Sequence, residues 1–95
     1  MNFAPEIISM TDRQYMLKFP LRCHFEKEDD FYVIQSEMLD IIGTGRSEEE
    51  AEQSFSQEFD FLYNRLNELN DDQLSVKLRM VKSFINQMID KIEKL

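Results

Sequence analysis

The hydrophobic period of the chain changes at Gly45, and that change limits it to an α+β fold. Before Gly45 the apolar residues come in short runs rich in β-branched and aromatic side chains; after it they recur at spacings of three and four. A period of two belongs to strands and one of 3.6 to helices. There is no internal repeat and no linker long enough to separate a second domain. Residues 1–95 therefore read as a single domain, β-rich over 1–45 and carrying two long helices over 46–95. A chain of 95 residues buries a modest single core. Eight Phe, three Tyr and six Met are enough to fill it.

In the β-rich segment, Leu21, Cys23 and Phe25 alternate with Arg22, His24 and Glu26, as in a half-buried strand. Pro20 suits a strand start or a sheet edge, and residues 15–19 extend this strand upstream of a bulge. Residues 27–30 form a charged turn, residues 31–35 return as a second strand, and residues 38–44 make a third run ending at Gly43-Thr44-Gly45. Residues 6–10 are a weaker fourth strand. The expectation is a small antiparallel sheet of three to four strands packed by a long helix.

That helix has an explicit start. Ser47-Glu48-Glu49-Glu50 is a capping box, with acidic residues where the helix dipole favours them. Ala51, Phe55, Phe59, Leu62, Leu66 and Leu69 then form one apolar stripe. Asn70 or Asp71 caps a second helix predicted to run almost to Leu95, with Leu74, Leu78, Val81, Ile85, Met88, Ile92 and Leu95 as its stripe. This regular spacing fits either a helical hairpin or an intersubunit bundle of coiled-coil type. Val76, Met80, Phe84 and Ile89 lie off the stripe and call for a second contact. Residues 46–72 carry nine acidic and two basic side chains, and residues 73–95 carry five basic and two acidic, so the two helices are expected to pair.

Chemistry finds few ingredients. Gly43-Thr44-Gly45 precedes a helix, but Glu48 stands where the third glycine of a dinucleotide loop belongs, and no P-loop lysine follows. The two glycines read instead as relaxing the backbone at a strand-to-helix corner. Cys23 and His24 are neighbours on a strand and point to opposite faces. One Cys and one His cannot make a zinc site or a Cys–His catalytic pair. The acidic clusters have local roles as turn, helix start and cap, without calcium-loop spacing. No catalytic, cofactor or metal residues are assigned, and the chain is expected not to be an enzyme.

A net charge of −8 and a pI near 4.5 argue against direct nucleic-acid binding and allow a basic protein partner. No run approaches the ~20 apolar residues of a membrane span. The first residues lack the basic and hydrophobic regions of a signal peptide, and a single cysteine offers no disulfide framework. The expected location is the cytoplasm.

Residues 21–69, taken as a unit, resemble the HicB-like antitoxins, which have a partial ribonuclease-H-like β-β-β-α fold. The family opens its main helix with a GDTxEEA motif, and Gly45-Arg46-Ser47-Glu48-Glu49-Glu50-Ala51 matches its glycine, hydroxyl cap, paired glutamates and alanine. Residues 36–40, Ser-Glu-Met-Leu-Asp, stand where the family has PDLPG. The second helix takes the place of the family's fourth strand and DNA-binding segment. The resemblance implies a protein-binding module of a toxin–antitoxin system that docks on a small basic ribonuclease and masks it, and that also forms dimers or higher oligomers. Glu28, Asp29, Asp30, Glu37 and Asp40 are the candidate partner-facing residues. Leu78, Val81, Ile85, Met88 and Ile92 are the candidate self-association residues. The alternative is a homo-oligomeric scaffold with no toxin partner.

Overall fold

The structure, a computed structural model, describes residues 2–95. In chain order the elements are β1 (Asn2–Phe3), β2 (Ile7–Ser9), β3 (Arg13–Leu17), β4 (Cys23–Glu28), β5 (Phe31–Ser36), β6 (Ile41–Gly45), α1 (Glu48–Glu68), α2 (Val76–Met88) and β7 (Ile89–Lys94). The fold is α+β. Its strands form two antiparallel sheets, one ordered β1-β4-β5-β6 and the other β2-β3-β7.

The expected hairpin is β4–β5, closed by the two-residue turn Asp29-Asp30 between the paired Glu28 and Phe31. Asp29 has φ 51°, a left-handed conformation that Asp tolerates better than most residues. The strand upstream of it is not a continuation. Residues 13–17 belong to the second sheet, where β3 is the central strand, and the weak strand at 7–9 pairs with it. The pairing of residues 7–9 with 13–17 is a local hairpin, whereas β3 reaches β7 across most of the chain, beyond what local alternation reveals.

α1 forms as its stripe dictates. Ser47 accepts a hydrogen bond from the Glu50 amide at 3.1 Å, and the Glu50 carboxylate accepts from the Arg46 amide at 2.8 Å. Ala51, Phe55, Phe59 and Leu66 are buried against the sheets. The helix lies closest to β6. A Cβ at Gly43 would stand 2.6 Å from Phe55 Cα, and one at Gly45 2.5 Å from the Ala51 amide nitrogen. Neither glycine has positive φ. The glycines are therefore there for close approach of helix to strand, and the expected relaxation of a corner is corrected.

The C-terminal region differs most from expectation. Ser75, not Asn70 or Asp71, caps α2, accepting from the Leu78 amide at 3.2 Å. Asn70 instead opens a 3-10 turn at Asp71–Gln73. α2 ends at Met88, whose carbonyl accepts from the Lys18 amide at 2.8 Å, and the following residues pair with β3 as β7. The register shifts between Met16 and Leu17: Leu17 faces Ile89 and Met16 faces Lys91, leaving Asp90 as an extra residue. This bulge puts Ile89 and Ile92, three apart, on one face of a strand. The same spacing of three continues a helical stripe, which is why periodicity alone reads these residues as helix.

Candidate functional site

α1 covers one face of the four-stranded sheet, and the other is open. Cys23, Phe25, Ile34 and Ile41 point under the helix and are buried. Cross-strand register sets the outward rows as His24–Gln35–Ile42, Glu26–Val33–Thr44 and Glu28–Phe31. Phe31 and Ile42 are about half exposed on this face, and Val33 is partly covered between Glu26 and Thr44. His24 Nε2 lies 3.5 Å from Glu26 Oε1 along β4, an exposed pair that leaves the face accessible.

The candidate partner-facing acids are all exposed but do not form one patch. Glu28, Asp29 and Asp30 cluster at the β4–β5 turn. Glu37 lies at the opposite end of β5, roughly 20 Å away at about 3.3 Å per residue. Asp40, at φ 57°, turns toward α2, where its carboxylate sits 3.7 Å from Lys77 Nζ. The hairpin tip carries both signs, because Lys27 and Arg46 share a shallow depression there with Asp30 and Tyr32. Glu26 and Glu28 are thus the carboxylates of the open face itself, bordered by Glu37. Alternation over residues 21–26 already places Glu26 outward; the rows it shares with Val33 and Thr44 required the register.

The candidate self-association set is corrected. Val81, Ile85 and Met88 are 7%, 0% and 0% exposed, so they belong to the core of this chain and not to a surface. Leu78 and Ile92 remain 40% exposed but lie on different elements, α2 and β7. Of the opposite-charge contacts expected between the two segments, the structure holds Lys82 to Asp71 at 3.0 Å, and the rest of the polar contact between the helices is uncharged. Asn67 and Asn86 exchange amide hydrogen bonds at 3.1 and 2.9 Å, and Lys82 reaches the Leu69 carbonyl and Asp71.

One polar cluster that sequence reasoning missed ties the second sheet to α1. Asp60 Oδ1 accepts from Arg13 Nε at 2.9 Å and from the Tyr15 hydroxyl, while Tyr15 packs edge-on against Phe59 and Tyr63. Burial, followed by the bond to Asp60, pushes the Tyr15 hydroxyl well above its ordinary pKa, and the bond to Asp60 also raises Arg13. Every group in it is matched, and its role is to pin β3 on the helix. Cys23 is buried, its Sγ 3.4 Å from the Leu21 carbonyl, and burial pushes its thiol up to about 11, so it is no nucleophile near neutrality.

Among the described residues, no group of three or more His, Cys, Asp or Glu could hold a metal ion, and no helix is long and apolar enough to cross a membrane. Comparison with protein-family models, with curated proteins and with solved structures gave no match.

Proposed function

We propose that the chain is a cytoplasmic, antitoxin-like binding protein that masks a small basic protein with the open face of its four-stranded sheet, and that it acts without catalysis. The observation carrying this reading is an uncovered sheet face with Glu26 and Glu28 on it, Glu37 at its border, and Phe31, Val33 and Ile42 available as apolar contacts. Carboxylates flanking exposed apolar side chains suit a cationic partner, since complementary charge speeds encounter and apolar burial holds the complex. The net charge of −8 works in the same direction. The element order β4-β5-β6-α1 is the one that the HicB-like resemblance of residues 21–69 implies.

The test is affinity capture from cells carrying the protein, followed by an activity assay of what is captured. The reading expects a small basic protein that the chain inhibits, with capture lost in a Glu26→Lys, Glu28→Lys variant. Capture of no basic protein, or capture indifferent to that charge reversal, contradicts it. The half-exposed Phe31 and Ile42 also fit the second reading, a homo-oligomeric scaffold. A stable oligomer in light scattering that an Ile42→Asp variant dissociates, with no foreign partner, decides for the scaffold.

A further inference from the structure

The three-stranded sheet ends on a strand with one free side. β3 is its centre, and β7 pairs with β3 along one edge and with no other strand among the described residues. The Leu95 amide donates to the Asp12 carbonyl at 2.9 Å, which fixes the alternation of backbone groups along β7. Lys91 and Glu93 therefore exchange backbone hydrogen bonds with β3, while the N–H and C=O groups of Ile92 and Lys94 point away from it. A row of such groups is a template for another strand. The side chains leave it open: Ile92 is 40% exposed, and Asp90, Lys91 and Lys94 are exposed. The other long edge, β6, has no charged residue within Ile41–Gly45 and offers nothing to fix a register.

Lysines on an edge strand normally bar a neighbour. In β7 they are matched by acids: Asp90, Lys91, Glu93 and Lys94 sum to zero, on a chain of net charge −8. Their order is complementary to itself when a second copy of β7 is laid antiparallel. A two-fold axis through Asp90, Lys91, Glu93 or Lys94 sets that charge against its own copy, which destabilises the pair. An axis through Ile92 sets Lys91 opposite Glu93 of the second copy, and Lys94 opposite its Asp90, where the bulge ends the ladder. The same axis brings the outward N–H and C=O groups of Ile92 onto those of the second copy. Within one strand Lys91 Nζ already lies 3.6 Å from Glu93 Oε1, so this register closes two such pairs into a ring of alternating charges. We propose that the free edge of β7 takes the β7 of a second copy, antiparallel and centred on Ile92, joining the two three-stranded sheets into one. The edge belongs to the other sheet from the open face, and the proposal does not depend on the reading given for that face.

Repulsion between two chains of net charge −8 keeps such a dimer weak, so the test needs high concentration and screening salt. Sedimentation equilibrium of the full chain, at about 0.15 M salt, should show a passage from monomer to dimer between about 10 μM and about 1 mM. Lys91→Glu and Glu93→Lys each set like charges opposite one another, and each alone should weaken the dimer about tenfold or more. Mixed in equal amounts, the two variants should recover it, because every facing pair is then unlike. Both side chains reach solvent, and circular dichroism checks that the variants stay folded. Amide hydrogen exchange locates the contact: the Ile92 and Lys94 amides should slow as concentration rises, while the Glu93 amide, bonded to β3, should not change. Ile42→Asp, on the other sheet, should leave the mass unchanged. Four results overturn the proposal. These are a monomer at about 1 mM, a dimer that neither charge reversal weakens, no recovery on mixing, or no added protection at Ile92. A dimer that Ile42→Asp dissociates also overturns it, by assigning the contact to the open face.

Discussion

At Gly43 the absence of a side chain sets how near α1 can come to the sheet. An added methyl group would run into the Phe55 backbone, which cannot rotate away as a side-chain tip would. Gly43→Ala should therefore cost about 1–3 kcal/mol, as overpacking does, read as a fall in the urea midpoint at unchanged slope. No fall would mean that helix and strand are not in the contact described. Cys23 offers a test by pH. Its thiol titrates near 9.0 when unfolded and at about 11 when buried, so the folded state holds the proton more tightly. That contribution is complete below pH 9, and is lost as pH rises through about 11. Tyr15, raised in the same direction from 10.0, adds a further alkaline loss above that value. Stability of the wild type should fall from pH 9 to 11, and Cys23→Ala, though less stable throughout, should fall less steeply across that window. Parallel slopes would show that the thiol is not buried.

At the scale of elements, the claim most open to challenge is that residues 89–94 are a strand. If Asp90 is the extra residue of a bulge, deleting it regularises β7 and keeps Ile89 and Ile92 opposite Leu17 and Tyr15. The deletion should cost less than about 1 kcal/mol. In a continuous helix it would turn the following residues by about 100° and bring a polar side chain inward. Ending the chain at Met88, by contrast, uncovers Tyr15 and Leu17 and should lower stability by several kcal/mol, as loss of large buried side chains does. Both changes are read from urea unfolding. The elements that local chemistry defines were legible in the sequence: the Ser47 cap, the stripe of Ala51, Phe55 and Phe59, and the β4–β5 hairpin. The division into two sheets was not, since the partner that makes β3 a central strand, residues 89–94, reaches it only through a long-range contact, while residues 7–9 pair with it as a local hairpin. The reassignment of Val81, Ile85 and Met88 from interface to core has the same origin. A stripe records that a face is buried, without recording what buries it.

For the whole molecule, charge placement matters more than charge total. The contact between α1 and α2 is made by amides and by Lys82, so most acidic side chains remain on the surface, and α2 stands apart as a basic, apolar ridge. The acids singled out from sequence lie at two ends of one sheet, with Asp40 diverted to Lys77, while Glu26 and Glu28 gain importance by sharing a face with Val33 and Phe31. The account rests on the open face of the four-stranded sheet. Its most direct test is the association rate of the captured basic partner, measured across a salt series for the wild type and for the Glu26→Lys, Glu28→Lys variant. Charge reversal should slow association by about tenfold or more at low salt and flatten its salt dependence. The same rate and salt dependence in both proteins would contradict the account.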